Sequence, residues 1–202
     1  MEITLNLLIL FLGYIFGSFP SGYLAGRIAK GIDIRSLGSG STGATNVLRH
    51  IGKRAAISVF LLDVFKGVIS IFLAKYFLLN DSWQVAMGLS TLIGHIWPVW
   101  LNWRGGKAVA TGLGIFLGLS WQVGLATLGV FILMITLFRI VSLASVSAAF
   151  ALPLIMLISF KNSGISLPFL VISMLAMTLV IWRHRENIIR LMKGKEPKIG
   201  QT

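Results

Sequence analysis

Four stretches of this sequence carry polar residues that an apolar interior would not select. The first is Gly38-Ser39-Gly40-Ser41-Thr42-Gly43-Ala44-Thr45-Asn46, followed by Arg49. The second runs from Gly94-His95-Ile96-Trp97-Pro98 to Arg104-Gly105-Gly106-Lys107 and on to Thr111. The third is Ser142-Leu143-Ala144-Ser145, just after Arg139, and the fourth is Arg183-His184-Arg185-Glu186-Asn187, with Arg190 beyond. Glycines let backbone N–H groups converge on an anion, and Ser and Thr hydroxyls add donors. Arg49, Arg104 and Lys107 supply the charge. A helix starting near Thr42 and running through Arg49 would aim its positive end at the same anion. Phosphate groups would account for both of the first two stretches.

Several familiar chemistries fail on these residues. Gly38, Gly40 and Gly43 spell a GxGxxG, and Asp63 has the spacing of a ribose-binding acid, but no strand precedes the motif and Asp63 lies in an apolar segment. Arg104-Gly-Gly-Lys107 does not match the Walker pattern. With no cysteine in the chain, disulfides, thiolate metal sites and cysteine nucleophiles are absent. Six carboxylates and three histidines without metalloprotease spacing argue against a metal centre. A Ser-His-Asp triad lacks its acid, since Glu186 is close to His184 in sequence, with only Arg185 between them, and points elsewhere. His184 and Asn187, three apart, would share a helical face, where an imidazole can accept a proton or donate to an oxyanion. His95 beside Trp97 and Pro98 reads as structural, and His50 as either solvated or functional. Asp63 and Lys66 read as a mutually neutralising pair.

The elements that hold these segments are membrane helices. Of 202 residues, 56% are apolar and 12% charged, about half the charged share of soluble domains. Too little polar surface remains to cover a soluble globule, and an apolar-rich chain is not disordered. A crossing helix needs about 20 apolar residues, and six stretches qualify: 5–25, 55–79, 83–101, 121–138, 142–160 and 167–182. A seventh, 108–120, is shorter. The net charge of +12 would suggest nucleic acid in a soluble protein, but here it orients the spans, because Lys and Arg concentrate on the cytoplasmic side. If 108–120 crosses and the N-terminus lies outside, the basic residues of the first loop, of 104–107, of Arg139 and of the tail all face the cytoplasm. Six spans would split them. The first apolar stretch lacks the basic start and cleavage site of a signal peptide and reads as a retained span. The connections on the outer side (80–82, a turn near Ser120, 161–166) are short, and no repeat or linker divides the chain. The expected architecture is one all-α integral membrane domain over 1–202, a seven-span bundle with a short fourth helix, N-terminus out and C-terminus cytoplasmic.

Two phosphate-sized sites at the cytoplasmic interface of a small bundle point to an enzyme joining a soluble phosphate compound to a lipid. GSGSTGATN with Arg49, GHIWP with RGGKAVAT, VSLAS, and RHRENIIRL with Gly194 and Glu196 resemble, in order and over essentially the whole chain, the bacterial acyl-phosphate-dependent glycerol-3-phosphate acyltransferases of the PlsY type. The resemblance implies transfer of a fatty acyl group from acyl phosphate to the 1-hydroxyl of sn-glycerol 3-phosphate, without cofactor, metal or nucleic acid, at the inner membrane of a bacterial cell; it implies nothing about oligomeric state or chain-length preference. It also implies that Ser39, Arg49, Lys107, His184 and Asn187 are catalytic. Gly38, Gly40, Ser41, Thr42, Gly43, Ala44, Thr45, Asn46, Arg104, Gly105, Gly106 and Ser145 would bind substrate or phosphate, and Glu186 would serve structure. Ser41 departs from the Asn usual in the family loop, which keeps a donor but loses reach.

An acyl phosphate is an activated mixed anhydride, so direct attack needs neither ATP nor an acyl-enzyme. The protein must hold two anions side by side, bring the hydroxyl within about 3–3.5 Å of the carbonyl carbon and stabilise the oxyanion with backbone or Ser39 donors. His184 or a substrate phosphate takes the proton, and the acyl chain lies between helices. A rival reading is a membrane transporter of a phosphate ester or other anion, with the basic loops as vestibules. A headgroup transferase would need metal-binding Asp pairs that the sequence lacks.

Overall fold

The computed structural model describes the backbone of residues 2–200, and side chains except those of residues 2, 162 and 163; residues 1, 201 and 202, at the ends of the expected domain, lie outside the described residues. Among the described residues ten α-helices follow in order: α1 (Glu2–Ser18), α2 (Ser21–Lys30), α3 (Ala44–His50), α4 (Lys53–Tyr76), α5 (Asp81–Ile96), α6 (Val109–Leu119), α7 (Trp121–Phe138), α8 (Val141–Ser163), α9 (Leu167–Arg183) and α10 (Arg185–Met192). Short 3-10 turns at Ile34–Ser36 and Val99–Leu101 stiffen the two long loops. Among the described residues there is no strand, in keeping with the all-α expectation.

The seven apolar stretches each contain a helix, with three corrections, the first being that 83–101 is helical only to Ile96, with Val99–Leu101 in a separate 3-10 turn after Pro98. The expected first span, 5–25, breaks at Phe19–Pro20, because Pro20 has no N–H to continue the ladder and instead heads α2. α2 is amphipathic and ends on Gly31, whose φ of 68° closes a left-handed cap on Arg27 and Gly26. The expected continuous helix through His184 and Asn187 bends by 63° between α9 and α10, so the two residues do not share one helix. By length and hydropathy, 3–30, α4, α7 and 141–161 can cross a membrane, and α9 with α10 as one bent span would make a fifth. α5 has 16 residues and α6 has 11, about 24 and 16 Å of helix.

Close crossings of small residues, the usual device inside a bilayer, fix the bundle. α6 lies on α4 where a Cβ on Gly114 would overlap the Val64 carbonyl, and one on Gly67 the Thr111 carbonyl. Gly17 and Gly94 do the same for α1 and α5. The core between α4, α5, α6, α8 and α9 is packed by Ile71, Leu92, Ile115, Phe116, Met156 and Ile172. Large apolar side chains such as Leu7, Phe65, Leu133 and Leu154 stand exposed on the outer faces, as lipid-facing surface requires.

Candidate active site

The Gly38–Asn46 loop is built around one side chain. Asn46, buried on the first turn of α3, donates its amide to the carbonyls of Ile34, Leu37 and Ser41 at 2.9–3.1 Å, and its Oδ1 accepts from the Ser39 N–H. Gly38 (φ 55°) and Gly40 (φ 66°) take the left-handed turns this winding needs, and a Cβ on Gly38 would strike Asn46 and His50. The Thr42 carbonyl rests against Gly22 of α2. Ser41 Oγ accepts from the Gly43 N–H at 3.3 Å. His50, left open by its sequence context, places Nδ1 3.0 Å from the Asn46 carbonyl and backs the loop.

The second loop differs from its sequence reading. Gly105 and Gly106 do not turn their N–H groups to a ligand: these donate to the carbonyls of Ile96 and His95 at the end of α5, at 3.1 and 3.0 Å. A Cβ on Gly106 would overlap the His95 imidazole, and one on Gly105 the His95 carbonyl. The glycines therefore let α5 grip the loop. Arg183 of α9 holds it from the other side, donating to the Gly106 carbonyl at 3.2 Å. Arg104 is exposed and away from the cleft. Only Lys107 is presented inward.

Both loops open on one cavity of about 130 Å³. Ser39, Arg49, Lys107, Ser145, His184 and Asn187 all line it, as do Ser41, Gly43, Ala44, Thr45 and Asn46. Gly38, Gly40, Thr42, Arg104, Gly105, Gly106 and Glu186 do not. Among the described residues Arg49 has no ion-pair or hydrogen-bond partner. Lys107 donates to Asn187 Oδ1. Burial pushes the Lys107 ammonium down to about 8, with Arg190 and Arg183 adding to the effect against Glu196. His184 Nδ1 sits 2.8 Å from the Val180 carbonyl. A carbonyl only accepts, so Nδ1 carries the proton and Nε2 keeps its lone pair. Burial, and then the Lys107 charge, push this imidazole down to about 4, so it is neutral near pH 7.

The acid of the site is Glu196, not Glu186. Glu186 is exposed and outside these hydrogen bonds. The tail turns back after α10 at Gly194 (φ 62°), and Glu196 accepts from Asn187 Nδ2 (2.6 Å), Ser142 Oγ (2.8 Å) and Arg190 Nε (2.7 Å). Burial works against its charge, but these donors outweigh burial and hold the carboxyl below its ordinary value. The Ile199 N–H then donates to the Arg139 carbonyl at 2.7 Å, tying the tail to the start of α8. Sequence reading noted Glu196 only as a trailing motif residue, since a reversal of the chain at a glycine leaves no periodic signal.

Asp63 and His95 also line the cavity. Asp63 Oδ1 accepts from Ser21 Oγ (2.6 Å) and pairs with Lys66 (2.9 Å), with His95 Nδ1 at 3.8 Å. The neutralising pair expected from sequence is thus present. It also ties α2, under the first loop, to α5, under the second. From the polar cavity an apolar groove of about 80 Å³ runs inward among α6, α7, α8 and α9; Phe60, Ala108, Val109, Ala110, Phe131 and Ser145 line both.

The family model for glycerol-3-phosphate acyltransferase matches residues 7–194. A glycerol-3-phosphate acyltransferase of Prochlorococcus marinus (strain NATL2A) is 87% identical over 197 residues, 98% of this chain and 100% of that protein. Two crystal structures of PlsY (YgiH), an integral membrane glycerol 3-phosphate acyltransferase, superpose with a TM-score of 0.87 at 36% identity. The glycerol 3-phosphate form covers 96% of each chain; the lysophosphatidic acid form covers 96% of this chain and 95% of that one.

Proposed function

The chain belongs to the glycerol-3-phosphate acyltransferase family, and we propose that it transfers a fatty acyl group from acyl phosphate to the 1-hydroxyl of sn-glycerol 3-phosphate. The products are 1-acylglycerol 3-phosphate (lysophosphatidate) and inorganic phosphate, the first step of phosphatidate synthesis. The carrying observation is that two cations far apart in the chain, Arg49 on α3 and Lys107 in the loop before α6, line one cleft that continues into an apolar groove. That combination suits two anionic heads and one acyl tail.

In this reading the acceptor oxygen attacks the carbonyl carbon, the bond from that carbon to the phosphate oxygen breaks, and phosphate leaves with both electrons. The hydroxyl proton passes to His184 Nε2 or to a substrate phosphate. Lys107 and Arg49 offset the repulsion between the two anions, and Ser39 with its loop meets the developing oxyanion. Ser145, at the junction of cleft and groove, contacts the donor where head meets tail. Glu196 holds Asn187 in place, and Asn187 in turn orients Lys107. No acyl-enzyme forms, and no cofactor or metal is used.

We read the fold as a single domain crossing the inner membrane of a bacterial cell seven times, N-terminus outside, with cleft and C-terminus on the cytoplasmic side. The basic loops support this orientation. α6, short as it is, is supported as a crossing by its position between α4 and α7 in the bundle.

Purified protein mixed with acyl phosphate and glycerol 3-phosphate, without CoA, ATP or metal, should release inorganic phosphate and lysophosphatidate in equal amounts. Uptake of labelled glycerol 3-phosphate into proteoliposomes with no new lipid would instead establish the transporter reading.

A further inference from the structure

The groove has a measurable depth. Each helix around it contributes a stripe with helical spacing: Val109 to Phe116 on α6, Gly124 to Phe131 on α7, Ser145 to Leu152 on α8 and Ala176 to Val180 on α9. On α6, α7 and α8 the stripe spans two turns, or about 10 Å of helix. Its mouth is lined by small residues, Ala108, Ala110 and Ser145, its middle by Leu92, Ala148 and Ala149, and its inner end by Phe116 and Leu152. One turn further, Leu119, Met156 and Ile172 are buried members of the core and do not line the groove. The groove therefore ends on a packed floor. Its side wall is not closed: Phe60 is 37% exposed, and Val109, Leu113, Leu128 and Phe131 are only half-buried.

Resting on the acyl-transfer reading above, we propose that Phe116 and Leu152 form a stop that sets how much of the acyl chain the enzyme reads. With the reacting carbonyl at the junction near Ser145, an extended chain advancing about 1.2 Å per bond seats about eight or nine carbons before the floor. The remaining carbons leave sideways past the half-open wall into lipid. The proximal part of the chain lies against the buried faces of Ala108, Ala148, Ala149 and Val180, where an added methyl group has no space. The distal part lies among lipid tails, where it does.

The test uses palmitoyl phosphates carrying one methyl branch, so that all donors partition into detergent micelles alike. A branch at about carbon 6 should lower kcat/KM about tenfold or more, whereas a branch at about carbon 12 should change it less than about twofold. Leu152→Ala should relieve the penalty for branches near about carbon 8, where its side chain forms the stop. Equal kcat/KM for proximal and distal branches would overturn the proposal and leave acyl transfer standing. So would a folded Leu152→Ala protein with an unchanged branch profile. If Leu152→Ala does not fold, the wild-type branch scan decides alone. Failure of unbranched palmitoyl phosphate to yield any lysophosphatidate would instead refute the functional reading.

Discussion

Lys107 sits where burial and charge are in tension, and that tension has a pH consequence. Its ammonium is pushed down to about 8, so it is mostly protonated at pH 7 and loses its charge as pH rises through 8. If the cation binds the donor phosphate, kcat/KM for acyl phosphate, which reports the free enzyme, should fall about tenfold per pH unit above that point. A guanidinium stays charged throughout, so any activity kept by Lys107→Arg should lack this limb. Lys107→Ala should fold yet lose about 10²–10³-fold in turnover; wild-type kcat/KM in that variant would remove Lys107 from the site. His184, pushed down to about 4, adds no limb between pH 6 and 8. At this scale the sequence showed which groups are ionic but not which are turned inward. Arg49, Lys107, His184 and Asn187 reach the cleft, whereas Arg104 and Glu186 do not. Inward and outward positions in an irregular loop have no period to read.

At the scale of elements, the two glycine-rich loops look alike in sequence and are built differently. The first winds around the Asn46 amide, and Asn46→Ala would strand three carbonyls at a net cost of about 2–4 kcal/mol. The expected result is a lower melting temperature in detergent and a raised KM for phosphate substrates; unchanged values would show that the loop holds its shape without this side chain. The second loop is clamped by α5 and α9. Gly106→Ala should force the His95 ring or the loop to move, costing about 1–3 kcal/mol and displacing Lys107, with kcat/KM down about tenfold or more. Wild-type kinetics in Gly106→Ala would mean the clamp does not set the lysine. Sequence reading found both loops because glycine with Lys or Arg is conspicuous, but it assigned Gly105 and Gly106 to the ligand. Their real neighbour, His95, lies ten residues before Gly105 and eleven before Gly106 and adjoins them only once the chain turns at Pro98.

Across the whole molecule, the helical bundle was legible because apolar runs are long and the basic loops alternate with them. The break at Pro20 and the bend at His184 were not, since both fall inside continuous apolar or basic stretches. The orientation is testable on a chain with no natural cysteine. Ser82→Cys should react with an impermeant maleimide added outside intact cells, and Lys195→Cys only after the membrane is opened. The opposite pattern would place the cleft on the other face.

The account stands on one cleft holding both anionic substrates at once, with the acyl group passing directly between them. Initial rates measured while both acyl phosphate and glycerol 3-phosphate are varied address this most directly. Direct transfer within one cleft gives double-reciprocal lines that intersect, the mark of a ternary complex. Parallel lines, the mark of an acyl-enzyme that releases phosphate before the acceptor binds, would contradict it.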